Sequence, residues 1–330
     1  MIDFNLLKEI LINNKSFLLT THVNPDADAI GSEVALYLIL KKLGKEVFIV
    51  NHNATPYNLV FLDKDRKIEK YNTEIHQGIL HKADVLIGLD FNRSDRLASM
   101  KEEFLKSNKM KIVVDHHTNT ENFINYSFVD TEYSATGHIL TDFIKKTGIV
   151  KLDYELAYPL YAAIMTDTGS FRFERTTPEI HKIAAEFIEL GVVPGDVFDK
   201  IYDQSKFSKV KLLGRALESF KLYSDKNEIA YMTLLKDDFE QLNAIESDTD
   251  SFVNFSLSVE NVKIGILFIE LSKGIKVSFR SKGSIPVNKL ASEFGGGGHI
   301  NAAGTRIFDG KLNEYISIIL KKAEEYLKDK

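Results

Sequence analysis

An α/β fold in two domains, with a mostly parallel sheet flanked by helices in the first and a mixed sheet in a smaller second domain beyond a helical connector, is what the sequence predicts. Short β-rich runs alternate with helix-period segments through the first half, the sign of a parallel sheet with helical crossovers. Acidic and histidine residues collect where those runs end, and ligands of open α/β sheets bind beyond the carboxyl ends of the strands. The length, 330 residues, also favours two domains at about 150 residues each. The predicted division is 1–190, a helical connector at 191–220, and 221–330.

The elements follow in order. Ser16-Phe17-Leu18-Leu19-Thr20-Thr21 reads as a buried strand, Asn24-Pro25-Asp26 as a turn, and Ile30 to Leu43 as a helix stopped by Gly44. Glu46 to Val50 is the next strand. Asp84 to Leu89 and Lys111 to Val114 are two more apolar runs, followed by Asp90 and Asp115. Helical patterns dominate from Ser134 to about Phe220, punctuated by Gly148, Gly191 and Val193-Pro194-Gly195. Strands return at Ile229–Leu234, Val262–Leu271 and Ile275–Phe279.

Composition excludes several functions. Hydrophobic residues at 44% and charged residues at 27% describe a chain that folds, not a disordered or fibrous one. A net charge of -5, from 42 Lys plus Arg against 47 Asp plus Glu, argues against coating long nucleic acid. With no Cys there is no disulfide framework, thiolate nucleophile or Cys-held metal, so any metal sits on His, Asp and Glu. The longest uninterrupted apolar stretch, Val34 to Leu40, is far too short to span a bilayer, and the N-terminus lacks the pattern of a signal peptide. The expectation is a cytoplasmic protein without membrane contact; a homodimer is compatible with the sequence.

His22, Asp26 and Asp28 fall within seven residues of a strand-to-helix loop. Oxygen-rich ligands of this kind suit hard divalent cations, and His adds affinity for Mn²⁺; ordinary helix capping and turn chemistry would account for the same residues. Asp115-His116-His117 directly after a buried strand is harder to explain as packing, since one ring can ligate while the next faces a substrate. Asp90 and Asp167 are each compatible with a cap. Together, His22, Asp26, Asp28, Asp90, His116 and Asp167 supply the roughly six ligands that a two-metal site needs.

These segments, HVNPDADAIGS, GLDFNRSDRL, DHH and MTDTGSF, appear in the order of the four motifs of the DHH phosphoesterase superfamily, which the sequence resembles over almost its whole length. The second half resembles the family's associated domain through Val277-Ser278-Phe279-Arg280-Ser281, Val287 to Ala291, and Gly295 to Gly304. The resemblance implies that His22 and Asp26 hold one Mn²⁺ and that Asp28, His116 and Asp167 hold the other, with Asp90 bridging. It makes His117 the substrate-facing histidine and Asp115 the residue that orients the turn, with Asn24 near the scissile phosphate. Ser134-Ala135-Thr136-Gly137 resembles a helix start of the family and is equally a cap or a contact.

Gly295 to Gly298 offer backbone N–H groups to an anion at close approach, where a flexible linker is the alternative. The resemblance makes Gly296, Gly297, Gly298 and His299 a nucleotide-binding loop and matches Arg280-Ser281 to a substrate-binding motif, where Arg280 can grip a terminal phosphate; Lys282 and Lys289 read as solvated charges. Phe171 and Phe173 fit a core position or a stacking role. The implied activity is two-metal hydrolysis of short oligoribonucleotides, about two to five nucleotides long, and of the 3′-phosphate of pAp, with the second domain holding the distal end. A cyclic di-AMP or pApA phosphodiesterase would share every ligand. A type II inorganic pyrophosphatase lacks the glycine–histidine stretch, and a catalytically silent nucleotide-binding regulator would be signalled by a missing ligand.

Overall fold

The computed structural model describes residues 2–118, 120–224 and 226–328, in two units divided between Gln204 and Ser205. The first begins with α1 (Phe4–Asn13), where the Asp3 carboxylate accepts a hydrogen bond from Leu6 N. It leads into β1 (Ser16–Thr21), a run buried on both faces, as a central parallel strand must be. Next, α2 (Ala27–Lys42) starts three residues earlier than predicted, because Asp26 is its cap and accepts from Asp28 N and Ala29 N.

β2 (Glu46–Asn51) and the short β3 (Ile68–Lys70) follow. Then come α3 (Thr73–Lys82), the fully buried β4 (Val85–Leu89), α4 (Lys101–Lys106), β5 (Met110–Asp115) and β6 (Tyr126–Val129). The unit closes with α5 (Thr136–Thr147), α6 (Tyr154–Asp167), α7 (Pro178–Glu189) and α8 (Pro194–Tyr202). Its six strands are parallel in the order β3-β2-β1-β4-β5-β6. The order reverses between β1 and β4, and that switch point is where a parallel sheet opens a crevice at its carboxyl edge.

Helices α2 and α6 pack closely because Gly31 has no Cβ: a methyl there would lie 2.5 Å from the Pro159 carbonyl oxygen. The close crossing places the N-terminus of α2 and the C-terminus of α6 at the same crevice, as the contacts of Asp28 and Asp167 below show.

The second unit runs through α9 (Phe207–Glu218), β7 (Lys221–Tyr223), β8 (Ile229–Leu234), α10 (Lys236–Leu242) and β9 (Ile264–Glu270). It ends with β10 (Ile275–Ser281), α11 (Val287–Ser292), β11 (Gly297–His299), β12 (Ala302–Ile307) and α12 (Leu312–Lys328). The strand order is β11-β12-β10-β9-β8-β7, with β8 and β9 parallel and the other pairs antiparallel. Alternate residues Ile275, Val277 and Phe279 of β10 enter a core shared with Leu290 of α11 and Ile319 of α12. Of the segment 191–220, α8 belongs to the first unit and α9 to the second. Among the described residues no helix is long and apolar enough to cross a membrane.

Candidate metal centre

Five strand or helix ends deliver the polar residues to the carboxyl edge of the parallel sheet. His22 follows β1, Asp90 follows β4, Asp115 ends β5 with His116 and His117 behind it, and Asp26 and Asp28 sit at the start of α2. Asp167 is the last residue of α6. Three sets of ligand atoms each lie within 4.8 Å of one another: His22 with Asp26 and Asp90; Asp28 with His116 and Asp167; and Asp90 with His116 and His117.

The backbone decides which ring nitrogen is presented. His22 Nδ1 is 3.0 Å from the Val23 carbonyl oxygen and His116 Nδ1 is 3.3 Å from that of Tyr133. A nitrogen beside a carbonyl carries the proton and donates, so Nε2 of each ring is left to ligate. His22 Nε2 lies 3.3 Å from Asp90 Oδ2. His116 Nε2 lies 3.0 Å from Asp167 Oδ2, 3.5 Å from Asp90 Oδ1 and 3.7 Å from Asp28 Oδ2, and it is buried with no hydrogen-bond partner. Asp90 therefore turns one oxygen to each histidine. Its backbone is in the left-handed region, φ 64°, with its N–H donating to the Val114 carbonyl and Oδ1 accepting from Thr136 Oγ1.

Asp28 is fully buried, and the N-terminus of α5 holds it: Thr136 N donates to Oδ2 at 2.7 Å and Gly137 N to Oδ1 at 2.9 Å. Ser32 Oγ adds a third bond. Positive helix-end dipole and N–H donors suit a carboxylate there. The small-residue segment at 134–137 is thus the helix end that seats Asp28. No sequence pattern distinguished that role from an ordinary cap.

Carboxylates crowded out of water resist ionisation. Burial and the charges of Asp90 and Asp167 raise the Asp28 carboxyl well above the usual range. Asp26 keeps a solvent-exposed edge, but desolvation by the surrounding protein and the Asp90 charge push it up to about 6. Burial opposes charge on the histidines, yet Asp90 outweighs it at His22, raised to about 9, and Asp167 with Asp90 outweighs it at His116, raised to about 11. Asp90, though buried, is held far below the usual carboxylate range by the adjacent His116 and His22 rings. Protons on the two Nε2 atoms are what this set of acids demands in place of cations. Facing Nε2 atoms, an unpartnered buried nitrogen and four carboxylates fit divalent ions well.

His117 differs from its neighbour. It is 44% exposed, and its Nδ1 lies 2.8 Å from Oδ1 of the fully buried Asp115, which fixes that proton and frees Nε2. Burial lowers its proton affinity, but Asp115 and Asp90 reverse the sign and raise it. Asn24 is exposed at the turn, in the left-handed region at φ 56°, with its N–H donating to Asn53 Oδ1.

In the second unit, Arg280 sits on β10 between Ala302 of β12 and Gly265 of β9 and donates to its own chain at Phe279 O. Ser281 commits its hydroxyl to the fold, donating to the Ile285 carbonyl and accepting from Asn301 Nδ2. The glycines 297 and 298 form an edge strand with His299, where a loop was expected. Gly296 and Gly298 are required by packing, since added Cβ atoms would lie 2.2 Å from Gly304 O and 2.4 Å from Ala302 O. His299 and Gly297 are exposed. Phe171 packs against the core, whereas Phe173 is 59% exposed and lies over Gly169. Sequence reading missed Glu33 and Asn51: Asn51 Nδ2 donates to the buried Glu33 Oε2, and its Oδ1 accepts from Thr21 N beside His22. A Glu within a helix normally reads as solvated, so nothing signalled it.

Residues 16–164 match the DHH family, N-terminal domain, and residues 227–329 match the DHHA1 domain; the chain belongs to the DHH family. Two similar curated proteins are both named bifunctional oligoribonuclease and PAP phosphatase NrnA. The one from Thermus thermophilus is 32% identical over 94% of this chain and 89% of its own. The one from Bacillus subtilis is 29% identical over 89% of this chain and 90% of its own. A crystal structure of an exopolyphosphatase-related protein from Bacteroides fragilis matches with a TM-score of 0.93 and 32% identity, over 99% of this chain and 97% of that one.

Proposed function

We propose that the protein is a phosphoesterase that hydrolyses short oligoribonucleotides to mononucleotides and removes the 3′-phosphate of pAp, using two divalent cations, Mn²⁺ foremost. The observation that carries the reading is Asp90, one carboxylate with an oxygen toward His22 and the other toward His116. Substrate class rests on the names of the relatives.

His22 and Asp26 would hold one cation, Asp28, His116 and Asp167 the other, and Asp90 would join them. When bound, such a pair activates a water and offsets the charge that develops on phosphorus-bound oxygens. The protein's share is to hold the donors rigid. The Val23 and Tyr133 carbonyls keep both Nε2 atoms presented, and the α5 N-terminus keeps Asp28 in place. His117, oriented by Asp115, would give its Nε2 proton to the departing oxygen. Arg280 and His299 would bind a distal phosphate or base on the second unit, with the exposed Gly297 beside them.

The test is Mn²⁺-dependent hydrolysis of an RNA dinucleotide, pAp and cyclic di-AMP side by side, with His116→Ala as control. Mononucleotides from the first two, lost in the variant, are expected. Turnover of the cyclic dinucleotide alone would overturn the substrate assignment, and activity surviving in the variant would overturn the metal assignment.

A further inference from the structure

A second recess lies in the first unit, between α2 and α6, away from the residues of the metal centre. It is a cavity of about 360 Å³, within the size range of small-molecule sites. Its wall is aromatic and aliphatic, with Tyr37 and Leu38 from α2, Tyr154 and Tyr158 from α6, and Phe61 from the segment after β2. Phe61 meets Tyr158 edge to face at 6.0 Å, and Tyr154 lies 5.6 Å from Tyr158, so flat faces and edges are both offered.

Its rim carries two exposed ammonium groups that no ion pair among the described residues engages. Other charged groups nearby are already engaged. The Asp63 carboxylate accepts from Lys67 N and Ile68 N, Glu155 pairs with Lys42, and Lys200 pairs with Asp196. The Lys64 and Lys67 ammonium groups have no ion-pair partner among the described residues. Lys64 Nζ lies 5.7 Å from the centroid of the Tyr158 ring, a cation over an aromatic wall. Asp65 is the single uncommitted carboxylate on the lining.

We propose that this cavity is a binding site for a small molecule that combines a flat aromatic ring with an anionic group, the ring between Tyr37, Phe61 and Tyr158 and the anion at Lys64 and Lys67. The ring buries apolar surface against the tyrosines, and the anion meets the two unpaired ammonium groups at the mouth.

Equilibrium dialysis of the full chain with naphthalene-1-sulfonate, and with neutral 1-naphthalenemethanol, tests this. Saturable binding of the sulfonate, one per chain, is expected. The exposed pair Lys64→Glu and Lys67→Glu should weaken the sulfonate at least tenfold and leave the neutral naphthalene within twofold. Leu38→Trp, which fills the cavity, should remove both. Equal sulfonate binding by the lysine variant overturns the proposal, and so does sulfonate binding retained in a folded Leu38→Trp protein. Sedimentation in the same samples settles a rival occupant: sulfonate displaced as the chain dimerises would assign the cavity to a second copy and overturn it too. Should Leu38→Trp fail to fold, the lysine variant alone decides.

Discussion

His117 and His116 are adjacent, and what holds their Nδ1 atoms differs, which suits them to the opposite tasks the proposed function gives them. A carbonyl fixes His116, leaving Nε2 among carboxylates, while the Asp115 carboxylate fixes His117 and leaves its Nε2 uncommitted, free to face a substrate as proposed. His117→Ala should therefore lower kcat by about 10²–10⁴, the usual worth of a general acid, with Mn²⁺ affinity changed little. An equal loss of Mn²⁺ binding would make His117 a ligand instead.

Glu33 gives a pH dependence. Burial raises its carboxyl from 4.5 to about 8, against the hydrogen bond from Asn51, and Oε1 has no partner. A raised carboxyl binds its proton more tightly in the folded than in the unfolded chain. Stability is thus fully present below about 4.5 and falls as pH rises towards about 8. In chelator-treated protein, Glu33→Gln should raise the unfolding free energy at pH 8, on the order of a few kcal/mol, and with it Tm, and the gain should fade towards pH 5. A gain independent of pH would contradict the buried protonated acid. The site's histidines and aspartates were legible in the sequence because polar residues at the ends of apolar runs stand out; Glu33 was not, because its burial comes from α2 being covered on both sides.

At the scale of elements, α2 and α6 must touch for Asp28 and Asp167 to share a crevice. Gly31→Ala would press a methyl against the Pro159 carbonyl, a backbone atom that cannot swing aside. A loss of about 1–3 kcal/mol is expected from chemical denaturation. An unchanged midpoint would show that the helices part without cost. Strands with continuous apolar runs were legible, two of them to the residue, Ser16–Thr21 and Ile229–Leu234, and others with ends shifted by one or two residues, as at Ile264–Glu270. β3, with Ile68-Glu69-Lys70, and β11, with Gly297-Gly298-His299, were not. Neither carries a local signal, and each is a strand only because a neighbour pairs with it, Ile49–Asn51 for the first and Ala302–Gly304 for the second.

For the whole molecule, the candidate metal ligands all lie on the first unit, and the glycine–histidine segment and Arg280, to which the proposed function gives the substrate's distal end, lie on the second. Arg280 is partly withdrawn from water, and burial lowers its pKa, which the Asp250 charge partly offsets. A phosphate partner would repay that desolvation. Arg280→Ala should raise KM for an RNA dinucleotide about ten- to hundredfold, as for a lost charge-assisted bond, with kcat nearly unchanged. A fall confined to kcat would place Arg280 at the reacting phosphate. The two-domain order was readable from the change of pattern after Phe220. That α9 joins the second unit was not, since its amphipathic face names no partner.

In the proposed function, the five carboxylate and histidine positions around Asp90 form a two-cation site. Its most direct test is calorimetric titration of chelator-treated protein with Mn²⁺, beside the same titration of His116→Ala and His22→Ala. Two ions per chain in the native protein, and one fewer in each variant, is the predicted result. A single ion per chain, or stoichiometry untouched by both substitutions, would contradict it.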